Sequence, residues 1–262
     1  MKKLIRLSVI IQFISICSFA QSLTDERRLI KKTWILPNGE SSMSEYSYDG
    51  LGRINRIKQY ENKKFHSTQS AFVYNSQNLI TSYNESFADG ADTIQQLFSY
   101  DIQNRLISII EVEFKNSGKR TTLTRTFSYT SDEIRESQVR LSFGGKLIDA
   151  IKYTLDEKGN MVRKTSIQNG KKAADFIYGD YESKPNPLIF TGAYFYTELS
   201  SKQNGKEGYW EGGTPSKTNF TYSPNGLLQN AAITYILDNR AYTHQYIYTY
   251  AKIKYPVKVV VK

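Results

Sequence analysis

The sequence predicts an all-β fold: an antiparallel meander of repeated β-hairpins forming a strongly curved or barrel-like sheet. Three observations predict it. A degenerate motif recurs about every 26 residues. Between its copies the chain alternates apolar and polar residues. After residue 33 no segment carries the apolar spacing of an amphipathic helix.

The first element is an export signal. Lys2, Lys3 and Arg6 form a positive n-region, Leu7 to Phe19 a short apolar run, and Ser18-Phe19-Ala20 a small-residue cleavage site. Cleavage is expected between Ala20 and Gln21, leaving 21–262 as a single β-repeat domain. The apolar run is shorter than the roughly 20 residues a membrane helix needs. Cys17 offers lipidation as an alternative, but the residue before it is the bulky Ile16 where a small one is wanted. Cys17 is also the chain's one cysteine, so the mature protein has no disulfide, thiolate metal site or Cys nucleophile.

The repeat comes next. Its copies read Tyr48-Asp-Gly-Leu-Gly-Arg-Ile54, Tyr74-Asn-Ser-Gln-Asn-Leu-Ile80 and Tyr100-Asp-Ile-Gln-Asn-Arg-Leu106. Later copies are Leu155-Asp-Glu-Lys-Gly-Asn-Met161 and Tyr222-Ser-Pro-Asn-Gly-Leu-Leu228, with a weaker one at Tyr129-Thr-Ser-Asp-Glu-Ile134. The leading positions 48, 74 and 100 are 26 apart, 129 follows after 29, and 155 after another 26. Asp or Asn after the aromatic can bond its own backbone, and Gly or Asn near the end of the turn tolerates positive φ. Each copy therefore reads as a strand end, a tight turn and a return strand. Twenty-six residues accommodate two such strands and two connections.

The connections between copies are legible too, at Glu61-Asn62-Lys63, 88–92, 116–119, Gly144-Gly145 and Asn169-Gly170-Lys171. In Ala241–Ala251 one face carries Tyr242, His244, Tyr246, Tyr248 and Tyr250. In Leu106–Phe114 alternation places Leu106, Ile110, Val112 and Phe114 on one face, with Glu111 and Glu113 opposite and facing solvent. Pro185, Pro187, Gly205, Gly208, Gly212, Gly213 and Pro215 interrupt the pattern and predict a loop-rich insertion at about 183–216.

The formal charge is +10, scattered along the chain rather than gathered in one block. That distribution argues against nucleic acid as a partner and for solvated strand faces. No second apolar stretch is long enough for a transmembrane helix.

The Tyr-Asp-x-x-Gly-Arg-Ile pattern at 48–54, with its copy at 100–106, resembles the YD repeats of the Rhs family of bacterial cell-surface proteins. With the export signal and the segment Tyr181-Glu-Ser-Lys-Pro-Asn-Pro-Leu188, the chain looks closer to an uncharacterised secreted family common in Bacteroidota, described as porin-like. That resemblance implies a meandering, strongly curved sheet over roughly residues 40–250, in the periplasm, at the cell surface or outside the cell. It implies no functional residues.

A search for chemistry returns little. His66 and His244 lack partners at metal-ligand spacing, and His244 reads as a packed strand residue. No nucleophile elbow or phosphate-binding glycine fingerprint occurs. The carboxylates Glu111, Glu113, Asp149, Glu198 and Glu211 have no spacing that marks a glycosidase pair. No catalytic residue, cofactor or metal is assigned, and the protein is expected not to be an enzyme. The unusual number is the aromatic content, 20 Tyr, 13 Phe and 2 Trp. Tyr209, Trp210, Tyr194 and Tyr196 are the candidate ligand-binding residues, because Tyr and Trp combine an apolar body with a polar tip. Asp92-Thr93-Ile94 matches a short O-glycosylation pattern, making Thr93 a candidate acceptor. The expected function is a non-catalytic envelope module that binds a glycan or an envelope protein. The alternatives are an outer-membrane barrel and an enzyme acting on envelope polysaccharide.

Overall fold

The computed structural model describes residues 27–90, 92–115, 118–142, 145–168, 170–185, 203–211 and 213–253. The signal peptide, Ala20, Gln21, Cys17, Tyr194 and Tyr196 lie outside the described residues.

The described chain forms sixteen antiparallel strands in one closed barrel, each strand beside its neighbours in sequence. They are β1 (Arg27–Ile35), β2 (Ser41–Tyr48), β3 (Ile54–Glu61), β4 (Lys64–Tyr74), β5 (Ile80–Phe87) and β6 (Thr93–Tyr100). There follow β7 (Leu106–Lys115), β8 (Gly118–Tyr129), β9 (Glu133–Ser142), β10 (Gly145–Leu155) and β11 (Met161–Gln168). The last are β12 (Lys171–Pro185), β13 (Gln203–Trp210), β14 (Ser216–Tyr222), β15 (Leu228–Leu237) and β16 (Arg240–Lys252). The predicted meander is what forms, and pairing of β1 with β16, Trp34 opposite Tyr246, closes it. Closure leaves the sheet without an exposed edge. Of the predicted loop-rich stretch, β12 runs on to Pro185 and 203–210 form β13, while 186–202 lie outside the described residues.

Alternate connections fall on opposite rims. The motif turns, at 49–53, 75–79, 101–105, 130–132, 156–160 and 223–227, share one rim. The turns at 36–40, 62–63 and 238–239 share the other, here the far rim.

Five of the six motif turns are built alike, and that at 130–132 is two residues shorter. In the first, Asp49 N–H donates to the Arg53 carbonyl, and Gly52, at φ 77°, donates to the Asp49 carbonyl. Asn78 and Asn104 occupy the Gly52 position at φ 61° and 62°. The side chain after the tyrosine holds each turn. Asp49 Oδ1 accepts from the backbone N–H of Leu51 and Arg53 at 2.9 Å each, and Asp101 and Asn75 repeat this. On the far rim, Asn62-Lys63 and Asp238-Asn239 form two-residue turns with positive φ at both positions, the geometry that matches strand twist.

A bulge follows every motif turn except that at 130–132 and decides which residues point inward. Tyr48 pairs with Ile54 but Ser47 with Arg56, leaving Asn55 as the extra residue. The same step recurs at Ser99/Tyr100 and Thr221/Tyr222. Ile54 and Ile57, Leu106 and Ile109, and Leu228 and Ala231 are three apart, yet each pair is buried on the inner face. This corrects the strict alternation expected for Leu106–Phe114. The bulge brings Ile109 inward with Leu106, and Glu111 follows it to the interior.

The apolar core fills the half of the barrel nearest the motif rim. One cluster holds Ile80, Phe98, Leu106, Ile109 and Phe127, and another Leu29, Tyr46, Ile54 and Ile57. Toward the far rim the inner wall between β4 and β9 turns polar. Ser67 donates to Glu85 at 2.7 Å, while Gln96 and Thr122 donate to Glu111 at 2.8 and 2.6 Å. Glu136, buried, accepts from Gln138 at 2.6 Å and from the Tyr153 hydroxyl at 2.7 Å. Burial, followed by the neighbouring Glu136 charge, pushes the Tyr153 hydroxyl well above the usual phenol range.

Candidate functional site

The candidate site lies at the far rim, on the part of the wall built by β12 to β16 and β1. The alternation of β16 turns Tyr242, His244 and Tyr246 inward, and pairing brings Tyr235 beside Tyr242, Ile233 beside His244 and Trp34 beside Tyr246. These rings pack against one another. Trp34 stacks on His244 at 5.6 Å and on Tyr246 at 6.0 Å between centroids, and Tyr235 stacks on Tyr242 at 5.6 Å. The Lys32 ammonium lies 5.4 Å from the Tyr246 centroid.

Beside this cluster stands Trp210, 57% exposed, edge-on to Phe176 at 5.1 Å. Gly208 lets the two strands approach: a Cβ there would meet the Phe176 ring at 2.8 Å. A cavity of about 520 Å³ lies between them, lined by Phe176, Trp210, Ile233, Tyr235 and His244 among others. A second, of about 740 Å³, lies on the other side of Tyr235 and His244, against the 36–38 turn. Tyr209, next to Trp210 in an alternating strand, pairs with Ile177 and points to the opposite face. Of the four predicted ligand residues, Trp210 stands on the inner wall, and Tyr209, although its side chain is on the alternate face, also borders this cavity.

His244, which its sequence context marks only as a strand residue, is central here. The Trp34 indole N–H donates to His244 Nδ1 at 3.1 Å, and His244 Nε2 lies 3.1 Å from the Tyr235 hydroxyl. Burial holds the imidazole below its ordinary pKa of 6.5. The row of inward aromatics in Ala241–Ala251 signals one wall of the site. Nothing in sequence signals Trp34, 210 residues away.

Of the candidate carboxylates, Glu198 lies outside the described residues, while Glu113 and Glu211 have structural partners. Glu113 pairs with Arg120 at 3.0 Å, and Glu211 with Lys172 at 2.5 Å. Thr93 opens β6 and is paired on both sides, to Ser86 and Phe114. Among the described residues no group of three or more His, Cys, Asp or Glu is placed to hold a metal ion.

Fold and site together define the class: a closed sixteen-strand antiparallel barrel with an apolar core near one rim and an aromatic cavity at the other. No protein-family model and no curated protein matches the sequence. Solved structures do. A porin-like protein from Bacteroides uniformis ATCC 8492 has a TM-score of 0.43 and 14% identity over 85% of this chain and 98% of its own. A porin-like protein from Bacteroides vulgatus ATCC 8482 has a TM-score of 0.49 and 11% identity over 86% and 99%. The TcdB2-TccC3-TEV structure has a TM-score of 0.20 and 12% identity over 80% of this chain and 14% of that one.

Proposed function

We propose that this chain is a non-catalytic protein of the bacterial envelope whose barrel stands in water and takes a glycan at its far mouth. One observation carries the reading: the exposed Trp210 and the half-buried Phe176 beside it open onto a cavity of about 520 Å³ that is also lined by Tyr235 and His244. A sugar ring needs both, an apolar face to stack and hydrogen-bonding groups at its edge.

The outer wall supports the aqueous setting. A membrane barrel presents an apolar band about 25 Å tall, and a Lys at mid-bilayer costs roughly 2–4 kcal/mol. Here the outward mid-strand positions include Lys58 in β3, Asn219 in β14 and Gln245 in β16, all exposed. The YD-like repeat is scaffold in this reading, since its side chains are spent on turns and on bonds between repeats.

The test is intrinsic fluorescence. The protein has two tryptophans, Trp210 at the cavity and Trp34 one contact behind it through His244. Titration with purified bacterial and host polysaccharides should shift the emission, and Trp210→Ala should abolish binding while leaving the melting temperature within 2 °C or so. A folded protein that responds to no polysaccharide refutes the glycan reading. Extraction of the protein from cells only with detergent refutes the aqueous one.

A further inference from the structure

We infer that Trp34, His244 and Tyr235 form a one-way hydrogen-bond chain that leaves the Tyr235 hydroxyl as a donor, so that the mouth selects a ring bearing an acceptor oxygen. The inference rests on reading this mouth as a binding site and adds what the site asks of its ligand.

The direction of the chain follows from its first member. An indole N–H can only donate. With Trp34 Nε1 3.1 Å from His244 Nδ1, that nitrogen must be the bare, accepting one. A neutral imidazole with Nδ1 bare carries its proton on Nε2. Nε2 lies 3.1 Å from the Tyr235 oxygen, so the imidazole donates and the phenol accepts. A phenol that accepts retains its own proton to give. Among the described residues no other hydrogen bond engages the Tyr235 hydroxyl. Tyr235 lines both cavities of the mouth.

The opposite tautomer would reverse the chemistry. Tyr235 would then donate to His244 and offer the cavity only lone pairs, selecting a donor. The fixed direction instead favours an ether, carbonyl or hydroxyl oxygen held against Tyr235, with the ring's apolar face on Trp210 and Phe176. The rings are poorly free to turn: Trp34 lies over one side of His244 at 26° between planes, and Tyr235 packs against it at 5.2 Å between centroids.

Two measurements decide the point. The protein has only His66 and His244, so ¹⁵N-histidine labelling gives two sets of ring signals, assigned by His66→Gln. At pH 8 His244 should show Nε2 protonated and Nδ1 bare; the reverse tautomer overturns the inference. The second probe is tetrahydropyran, a pyranose ring stripped of its hydroxyls, which can accept but not donate. Its titration should shift the His244 Nε2 signal, and Tyr235→Phe, which retains the ring, should weaken binding at least tenfold while the variant stays folded, its melting temperature lower by no more than the few degrees that one part-buried bond is worth. No response of the parent protein to tetrahydropyran, or an equal response in Tyr235→Phe, overturns the inference. The two readings fail separately. Binding of tetrahydropyran without binding of any polysaccharide removes the glycan reading and leaves the donor. Polysaccharide binding that is untouched by Tyr235→Phe leaves the glycan reading and removes the donor.

Discussion

The hydroxyl of Tyr74 donates to the carbonyl of Ile54 at 2.6 Å, and this bond, twenty residues back along the chain, is repeated around the barrel. Tyr48 makes it to Leu29 at 2.6 Å, Tyr100 to Ile80 at 2.8 Å and Tyr129 to Leu106 at 2.7 Å. Tyr181 makes it to Met161. In each case from Tyr74 on, the acceptor is the aliphatic residue that closes the preceding copy of the motif, beside the bulge where the strand ladder is disrupted. The arginine of the motif serves the next copy as well. The Arg53 guanidinium lies 4.5 Å from the Tyr74 centroid, and Arg105 lies 4.7 Å from that of Tyr129. Tyr, Asp and Arg thus make the aromatic bond, the turn and the stack that join one hairpin to the next.

Tyr74→Phe should destabilise the protein by about 1–2 kcal/mol, since it deletes one part-buried bond and leaves a carbonyl unpaired. At this size that is a fall in melting temperature of roughly 2–8 °C. Tyr250 is the contrast, because its hydroxyl is buried and has no hydrogen-bond partner among the described residues. Tyr250→Phe should be neutral or stabilising. Thermal denaturation of the two variants side by side checks both, and equal losses would contradict the role given to the hydroxyl.

Asn104 holds φ 62° in the third motif turn, where the first copy has Gly52 at 77°. Asn104→Gly should therefore be tolerated to within a few tenths of a kcal/mol. Asn104→Val should cost about 1–2 kcal/mol, because a β-branched residue is strained in that region. Urea midpoints at constant slope would measure both.

The motif carboxylates predict the acid limb of stability. Burial alone would raise Asp49, but the backbone N–H and side chain of Arg53 outweigh it and hold the carboxyl below 3.8. Asp101 is lowered against the same opposition by Arg105, and Asp156 by Asn160. Lys152 and Arg135 lower Glu133. With folded values below unfolded ones, the unfolded chain takes up protons first as the pH falls. Stability should be level above about pH 5 and lost progressively below about pH 4, as the folded values are crossed. Urea denaturation from pH 7 to 3 follows it, and replacing Asp101 by Asn should make the fall shallower.

His244 predicts a second, milder step. Burial lowers it below 6.5, so above that pH it is neutral in both states and costs nothing. As the pH falls below 6.5 the unfolded chain is protonated first, and stability declines until the folded value has been passed. Protonation also puts a proton on Nδ1, where the Trp34 N–H already points. Melting temperatures between pH 8 and 5 should show the step in the parent and in His66→Gln, and not in His244→Gln.

The sequence by itself determined the hairpin and its period. Asp49, Asn75, Asp101 and Asp156 carry the turn chemistry in their own side chains, within four residues of the backbone they bond, so local reading suffices for them. The inward row from Tyr242 to Tyr250 was legible for the same reason, as β16 pairs with β15 from Leu237↔Arg240 to Asn230↔Ile247 without a register shift. Tyr181, 26 residues after Leu155, could have been placed in the series by spacing alone. Other features were decided only by the tertiary structure. A bulge adds one residue, and one residue inverts every later side chain, so Glu111 is inside although strict alternation from Leu106 puts it outside. Closure of the barrel depends on how strand tilt accumulates over sixteen strands, which no single hairpin encodes. That closure sets β1 against β16 and so brings Trp34 to His244. The polarised mouth exists only because the two ends of the described chain meet.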